Sequence, residues 1–237
     1  MILSLYSIFN SISGEVGPIP QGSFCTFIRF AGCSLNCEWC DTKYARRFTS
    51  GQKLSIQEVL GLLILEHTKN PTGNFVITGG EPLEQEEAVS CLIGFIKRIF
   101  PVLFGKSVCI QIETNGTIVP KDSNVQNIPC VVDIKPPSAG PNYQKGLPFH
   151  EVYAGFAEGS YIKFLVGSKR DYQYAKAYLD NLCKGDKVFH YAFSAIKGML
   201  SHNDLYQWIL NDGLAKKYSN IILNAQLHKE LNLREHN

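Results

Sequence analysis

Cys33-Ser-Leu-Asn-Cys37-Glu-Trp-Cys40-Asp41-Thr42 comes directly after Phe24-Cys-Thr-Phe-Ile-Arg-Phe30, an aromatic and β-branched run that reads as a strand. The loop sets three thiols within eight residues. Three thiolates on one short loop can hold three irons of a cubane cluster, which leaves the fourth iron without a protein ligand. The same residues also admit structural zinc, but a closed zinc site takes four ligands, usually as two pairs. No second C-x-x-C follows, and the next cysteine, Cys91, lies in a predicted helix. Three neighbouring thiols cannot all pair as disulfides.

Composition narrows the class. The 237 residues are 45% apolar and 19% charged, a globular balance with enough material for a large core, and they are read as one domain spanning 1–237. A net charge of +2 argues against nucleic acid as a partner. No apolar run is long enough to span a bilayer, and Met1 to Phe9 lacks the basic start and cleavage site of a signal peptide. A soluble, cytoplasmic protein is expected, with its eight cysteines as free thiols or metal ligands. Cys25, Cys91, Cys109, Cys130 and Cys183 fall in predicted strands or helices and are expected to pack in the core.

Outward from the cysteine loop, short apolar strands alternate with helices. The opening run Leu3 to Ile12 is β-prone, and Gly17, Pro18, Pro20 and Gly22 then form a turn-rich loop. Ser55-Ile-Gln-Glu58 is a capping box opening a helix to about His67, with Ile56, Val59, Leu60, Leu63 and His67 on its inner face. Strands are predicted from Asn74 to Thr78, Ser107 to Glu113, Cys130 to Ile134, Tyr161 to Val166 and Lys187 to Phe193. Helices are predicted from Glu84 to Phe100, stopped by Pro101, then from Asp171 to Cys183 and near Asn203 to Tyr218. The Glu84 helix is expected to bury Ala88, Cys91, Leu92, Phe95 and Ile99. Pro136 to Glu158 carries no clear pattern, and Asn220 to Ala225 is a final strand-like run.

This alternation predicts a parallel sheet with helical crossovers. Six strands fit an incomplete (β/α)6, TIM-like barrel with additions at both termini, whose chemistry gathers on the loops after the strands. The polar motifs lie there: the cysteine loop, Thr78-Gly79-Gly80-Glu81-Pro82, Glu113-Thr-Asn-Gly116 and Asp133-Ile134-Lys135, while the fifth strand runs through Lys163. Gly79-Gly80 is either a plain turn or a place where a ligand approaches the backbone closely. Arg29, inside a strand, either snorkels to its end or holds an anion.

The cysteine triad with Trp39 before its last thiol, together with the Gly-Gly-Glu-Pro turn, resembles the radical SAM superfamily. A narrower resemblance covers most of the chain. Ile12-Ser13-Gly14-Glu15, Arg29-Phe-Ala-Gly-Cys33, Trp39-Cys40-Asp41-Thr42, Thr78 to Pro82, Glu113 to Gly116, Asp133-Ile-Lys-Pro-Pro-Ser138 and Gln226-Leu-His-Lys229 occur in the order found in the 7-carboxy-7-deazaguanine synthase family. The resemblance implies a lyase that converts 6-carboxy-5,6,7,8-tetrahydropterin to 7-carboxy-7-deazaguanine with loss of ammonia. It further implies a [4Fe–4S] cluster, S-adenosylmethionine (SAM), Mg²⁺, a homodimer, and an electron donor such as flavodoxin or ferredoxin.

Carried over position by position, the resemblance assigns Cys33, Cys37 and Cys40 to the cluster and Thr42 to magnesium. It assigns Trp39, Cys40, Asp41, Gly80, Asp133, Ile134 and Lys135 to SAM. Ile12, Ser13, Gly14, Glu15, Arg29, Thr78, Glu113 and His228 fall to the substrate, and no side chain is required as a nucleophile. His228 also reads as an ordinary half-buried polar residue, and Asn115 and Lys163 are open as further SAM contacts. The chain departs from the family twice, with Ser13 where a glutamine is usual and Asp133 where a serine is usual. Two other functions share the thiol motif: a radical SAM activating enzyme that makes a glycyl radical on a partner protein, and a non-catalytic zinc-binding module.

Overall fold

The β1–β2 hairpin, Ile2–Ile12 paired antiparallel with Phe24–Phe30, starts a sheet that has nine strands among the described residues. A computed structural model describes residues 1–233 of the chain. The remaining strands are β3 (Gln52–Ser55), β4 (Asn74–Gly79), β5 (Cys109–Thr114), β6 (Cys130–Ile134), β7 (Tyr161–Val166), β8 (His190–Ala195) and β9 (Ile221–Asn224). Their order is β3-β1-β2-β4-β5-β6-β7-β8-β9, and every neighbouring pair from β2 to β9 runs parallel. Parallel neighbours need crossovers. These are α1 (Ile56–Lys69), α2 (Glu86–Phe104), α3 (Ser123–Gln126), α4 (Phe149–Gly155), α5 (Lys169–Leu182) and the pair α6 (His202–Asn211) and α7 (Leu214–Lys217), with α8 (Leu227–Glu230) after the last strand.

The six predicted barrel strands are thus present, and the predicted final strand extends the parallel run as a seventh. Edges β3 and β9 do not pair with each other, so the barrel is incomplete among the described residues. The hairpin loop bridges toward the open side instead. Ser13 and Gly22–Ser23 continue the β1–β2 pairing, while Leu227 N–H donates to Gly14 O (2.8 Å) and Val16 N–H to Asn224 Oδ1 (3.1 Å).

Strand periodicity sorts the side chains into two layers. Ile28, Phe30, Phe75, Ile77, Ile110, Ile112, Val132, Ile162, Phe164 and Phe193 face the helices and join one core with Val59, Leu63, Leu92, Ile96 and Leu179. The alternate residues point the other way. Arg29, Thr78, Glu113, Asp133 and Lys163 therefore share the inner face, and the register sets Arg29 opposite Thr78 and Asp133 opposite Lys163. Placing charges on that face alone leaves the outer core apolar.

Helix ends depart from expectation in physical detail. The Ser55–Glu58 capping box forms in both directions, and α1 buries Ile56, Val59, Leu63 and His67, with Leu60 half-buried. Pro101 does not stop α2. It sits in the last turn, where the carbonyl it cannot reach belongs to exposed Lys97, and Gly105 ends the helix in the left-handed region (φ 64°). The buried stripe of α2 runs through Ala88, Val89, Leu92, Ile93, Ile96 and Phe100, which leaves Cys91 and Ile99 exposed and corrects the expectation that Cys91 packs in the core. The single helix expected near Asn203 to Tyr218 is two, divided at left-handed Gly213. Strand β8 starts at His190 rather than Lys187, and the unpatterned 136–158 stretch holds two short 3₁₀ turns and α4. Among the described residues no helix is long and apolar enough to cross a membrane.

Candidate active site

The inner-face row opens onto a cavity of about 210 Å³ lined both by the three thiols and by Arg29, Thr78, Glu113, Asp133 and Lys163. The sheet supplies the charged wall and the loop after β2 supplies the thiol wall.

The cysteine loop is folded back on the segment that follows it. Gly32 N–H donates to Ala45 O and Cys33 N–H to Arg46 O, both at 2.9 Å. Gly32 adopts φ 106°, and the Phe48 ring occupies the space a Cβ would need, at 2.4 Å. Cys37 is buried, Cys33 and Cys40 are half-buried, and none is in a disulfide. Burial pushes the Cys33 thiol up to about 11 and raises that of Cys37, so the protein alone does not create thiolates there. A bound cation does. Among the described residues no three His, Cys, Asp or Glu side chains converge to hold a single metal ion. A cubane asks for something different, with each thiolate on a separate iron. Three thiols spread around one cavity wall fit that demand.

The Gly79-Gly80 turn packs against this loop. Gly80 N–H donates to Phe30 O (3.1 Å), and a Cβ on Gly80 would lie 2.1 Å from Gly32 O. Gly79 has φ 151°, and its Cβ would meet Phe30 O at 2.3 Å. Close approach of two backbones explains the glycine pair, and both residues also border the cavity. Beside them, Trp39 Nε1–H donates to Ser138 O (3.0 Å), which holds its ring under the Lys135 ammonium at 5.5 Å.

The opposite wall is a chain of paired charges. Lys163 Nζ lies 2.8 Å from Asp133 Oδ1 and pairs with Glu15, while Lys135 holds the other Asp133 oxygen at 2.8 Å. These two lysines keep the Asp133 carboxyl below its ordinary range despite burial, and Lys163 is itself raised. Glu15 also accepts from Gln226 Nε2 (2.6 Å), and Lys229 reaches from α8 to Asp41. Glu113 accepts from Thr78 Oγ1 (2.9 Å) and Gln111 Nε2 (3.2 Å); burial, then the nearby Glu15 charge, pushes its carboxyl up. The Arg29 guanidinium, in a residue 5% exposed, lies over Phe9 (5.4 Å) and Tyr44 (5.9 Å). It therefore does not snorkel to the strand end.

Nearly all the residues singled out in the sequence border this cavity: Ile12, Gly14, Glu15, Arg29, Cys33, Cys37, Trp39, Cys40, Asp41, Thr42, Thr78, Gly80, Glu113, Asp133, Lys135 and His228, with Asn115 and Lys163 as well. Two do not. The Ile134 side chain packs among the helices, because strand alternation turns it away from Asp133 and Lys135. The Ser13 hydroxyl is buried and donates toward Glu15 O (3.3 Å) and Ile19 O (3.4 Å). His228 packs where a Cβ on Gly14 would fall, 1.8 Å from Nδ1, so Gly14 makes room for it. Thr42 Oγ1 is 3.6 Å from Cys40 Sγ and caps no helix turn. Sequence reasoning gave no role to Gln226 or Lys229, although both lie in the quoted C-terminal motif, and none to fully buried Glu81.

A three-thiol loop above an open parallel barrel fits the radical SAM class, and residues 21–144 match the 4Fe-4S single cluster domain family. The chain is 30% identical to a 7-carboxy-7-deazaguanine synthase of Koribacter versatilis over 96% of each chain. It is 31% identical to one of Methanospirillum hungatei over 98% of this chain and 86% of that one. A 7-carboxy-7-deazaguanine synthase of Thermoplasma acidophilum is 36% identical over 75% of this chain and 77% of its own. The crystal structure of QueE from Escherichia coli superposes with a TM-score of 0.67 at 23% identity, covering 96% of this chain and 95% of that one, which shows the fold. The chain belongs to the 7-carboxy-7-deazaguanine synthase family, radical SAM enzymes of queuosine and deazapurine biosynthesis that carry an iron–sulfur cluster and use SAM.

Proposed function

We propose that this enzyme rearranges 6-carboxy-5,6,7,8-tetrahydropterin to 7-carboxy-7-deazaguanine with loss of ammonia. The observation that carries the reading is the two-walled cavity, in which three thiols face Arg29, Glu15, Glu113 and His228. When bound, the cluster and SAM supply the one-electron chemistry that begins at C6 of the pterin, and Mg²⁺ supplies a Lewis acid at its carboxylate.

The chain's own residues bind, orient and shield. Cys33, Cys37 and Cys40 hold the cluster. Trp39, Asp41, Gly80, Asp133 and Lys135 form the SAM side, with Lys135 and Asp133 already locked to each other. Thr42 offers magnesium one neutral oxygen, which suits an ion that keeps several waters and takes others from the substrate. Arg29 presents a planar fork to the substrate carboxylate. Glu113, pushed up by burial and by Glu15, gains from a hydrogen-bond donor such as the 2-amino-pyrimidinone edge of a pterin. Ile12, Gly14, Thr78 and His228 complete that side, while Ser13 and Ile134 lie outside the cavity lining. The same reading includes a homodimer, an electron donor such as flavodoxin or ferredoxin, and a cytoplasmic location.

Anaerobic incubation of the reconstituted enzyme with the carboxypterin, SAM, Mg²⁺ and dithionite should yield the deazaguanine acid. SAM cleavage without that product would end the lyase reading and leave the activating-enzyme alternative.

A further inference from the structure

Glu81 joins the glycine turn, the cysteine loop and the loop after β5. Its own N–H donates to Gly32 O at 2.7 Å, one residue before Cys33. Its fully buried carboxylate accepts from Leu83 N–H (2.9 Å), Thr114 Oγ1 (2.8 Å) and Asn115 N–H (2.6 Å). Asn115 is thereby fastened beside the thiols.

The Asn115 amide has only one sensible orientation. Its Oδ1 accepts from Thr117 N–H (3.0 Å) and from Thr117 Oγ1 (2.7 Å), so the NH₂ end is the one that faces the cavity. That NH₂ donates to Cys33 Sγ at 3.4 Å, from a residue only 6% exposed. A donor held on a ligating sulfur in a dry setting acts on the cluster, because the potential of an iron–sulfur centre responds to hydrogen bonds on its sulfurs.

We propose that Asn115 tunes the reduction potential of the cluster through an N–H···S bond to Cys33, with Glu81 and Thr117 as positioning residues. The inference rests on the cluster reading above. Adding one electron from a low-potential one-electron reductant places more negative charge on the thiolate sulfurs. A fixed N–H dipole stabilises the reduced form more than the oxidised one, so the bond makes reduction easier.

The test is a redox titration of the reconstituted, SAM-free holoenzyme, followed by the paramagnetic signal of the reduced cluster. Asn115→Leu keeps the side-chain size and removes the donor. It should make reduction about tenfold less favourable, a shift of ~59 mV to lower potential for a one-electron couple. Thr117→Val keeps Asn115 but frees one side of its amide, and a smaller shift in the same direction is expected. It serves as the second variant if Asn115→Leu assembles poorly. Potentials unchanged in both variants, with full iron and sulfide content, would overturn the tuning role while leaving the cluster reading intact. Loss of SAM affinity without a shift in the SAM-free potential would likewise overturn it and make Asn115 a SAM ligand. Wild-type protein that takes up no iron and sulfide would overturn both.

Discussion

Lys163 Nζ lies 2.8 Å from Asp133 Oδ1 and holds Glu15 with the same ammonium, so one buried cation ties strand β6 to the loop between β1 and β2. The Asp133 carboxylate has two lysines within reach. A buried acid is tolerable only when paired.

Replacing Lys163 by methionine should therefore cost roughly 3–5 kcal/mol of stability, because two desolvated carboxylates lose a partner. Lys163→Met/Asp133→Asn should recover part of that loss by removing one stranded charge. Urea unfolding of the apo proteins checks this. Equal midpoints for the single and double variants would mean that the pair contributes nothing specific.

Arg29→Lys keeps the charge and removes the planar fork. If the guanidinium binds the substrate carboxylate through two parallel bonds, substrate affinity should fall about tenfold or more, the worth of one charged hydrogen bond. SAM affinity should hold. Calorimetric titration with each ligand separates the two, and a variant that binds the carboxypterin as tightly as wild type would remove Arg29 from the substrate side.

Much of the architecture was legible because its signals are local. Strands β6 and β7 begin and end where the apolar runs do, and α1 starts at its capping box. Strand β3 was not legible: it is four residues long, lies at the sheet edge and begins Gln52-Lys53, with little apolar content to read. The phase of α2 was misread because Cys91 and Ile99 looked as apolar as the residues one position away that are buried. The outward turn of the Ile134 side chain is legible from strand alternation alone, which sets it opposite to Asp133 and Lys135. The partners of Lys163 and the buried role of Glu81 arise from contacts between distant strands and loops, which no local pattern encodes.

His67 gives the fold a pH dependence away from the cavity. Its ring stacks on Phe75 (4.9 Å) and meets Phe100 and Phe104 edge-on, with Nδ1 2.9 Å from Thr26 Oγ1. Thr26 in turn donates to Asn10 Oδ1 (3.0 Å), which assigns the imidazole proton to Nδ1 and leaves Nε2 among the rings without a hydrogen-bond partner in the described residues. Burial, then the charge of Lys106, lowers the pKa of His67 below its ordinary 6.5. The unfolded chain thus binds the proton more readily than the folded one. This contribution is complete above pH 6.5 and is lost as pH falls through the lowered value. In denaturant unfolding from pH 8 to 5, His67→Phe should show a shallower loss of stability on acidification than wild type. Parallel curves would mean that the ring is not titrating in this window.

Gly80→Ala and Gly61→Ala make the same chemical change and should have opposite signs. In α1, nothing lies within 4 Å of a Cβ on Gly61, so alanine should stabilise by about 0.4–1 kcal/mol through the unfolded state. At Gly80 the new methyl would sit 2.1 Å from Gly32 O and 3.0 Å from Ala45 O, both backbone atoms that cannot rotate aside. Relief requires moving the turn away from residue 32, and residue 33 carries the first thiol. Gly80→Ala should therefore destabilise by about 1–3 kcal/mol, as overpacking does. It should also lower iron uptake on reconstitution, because the cysteine loop is displaced along with the backbone it leans on. Thermal unfolding gives the first quantity and iron and sulfide analysis the second. A Gly80→Ala protein with wild-type stability and full iron content would mean that the close backbone contact does not set the position of the thiols.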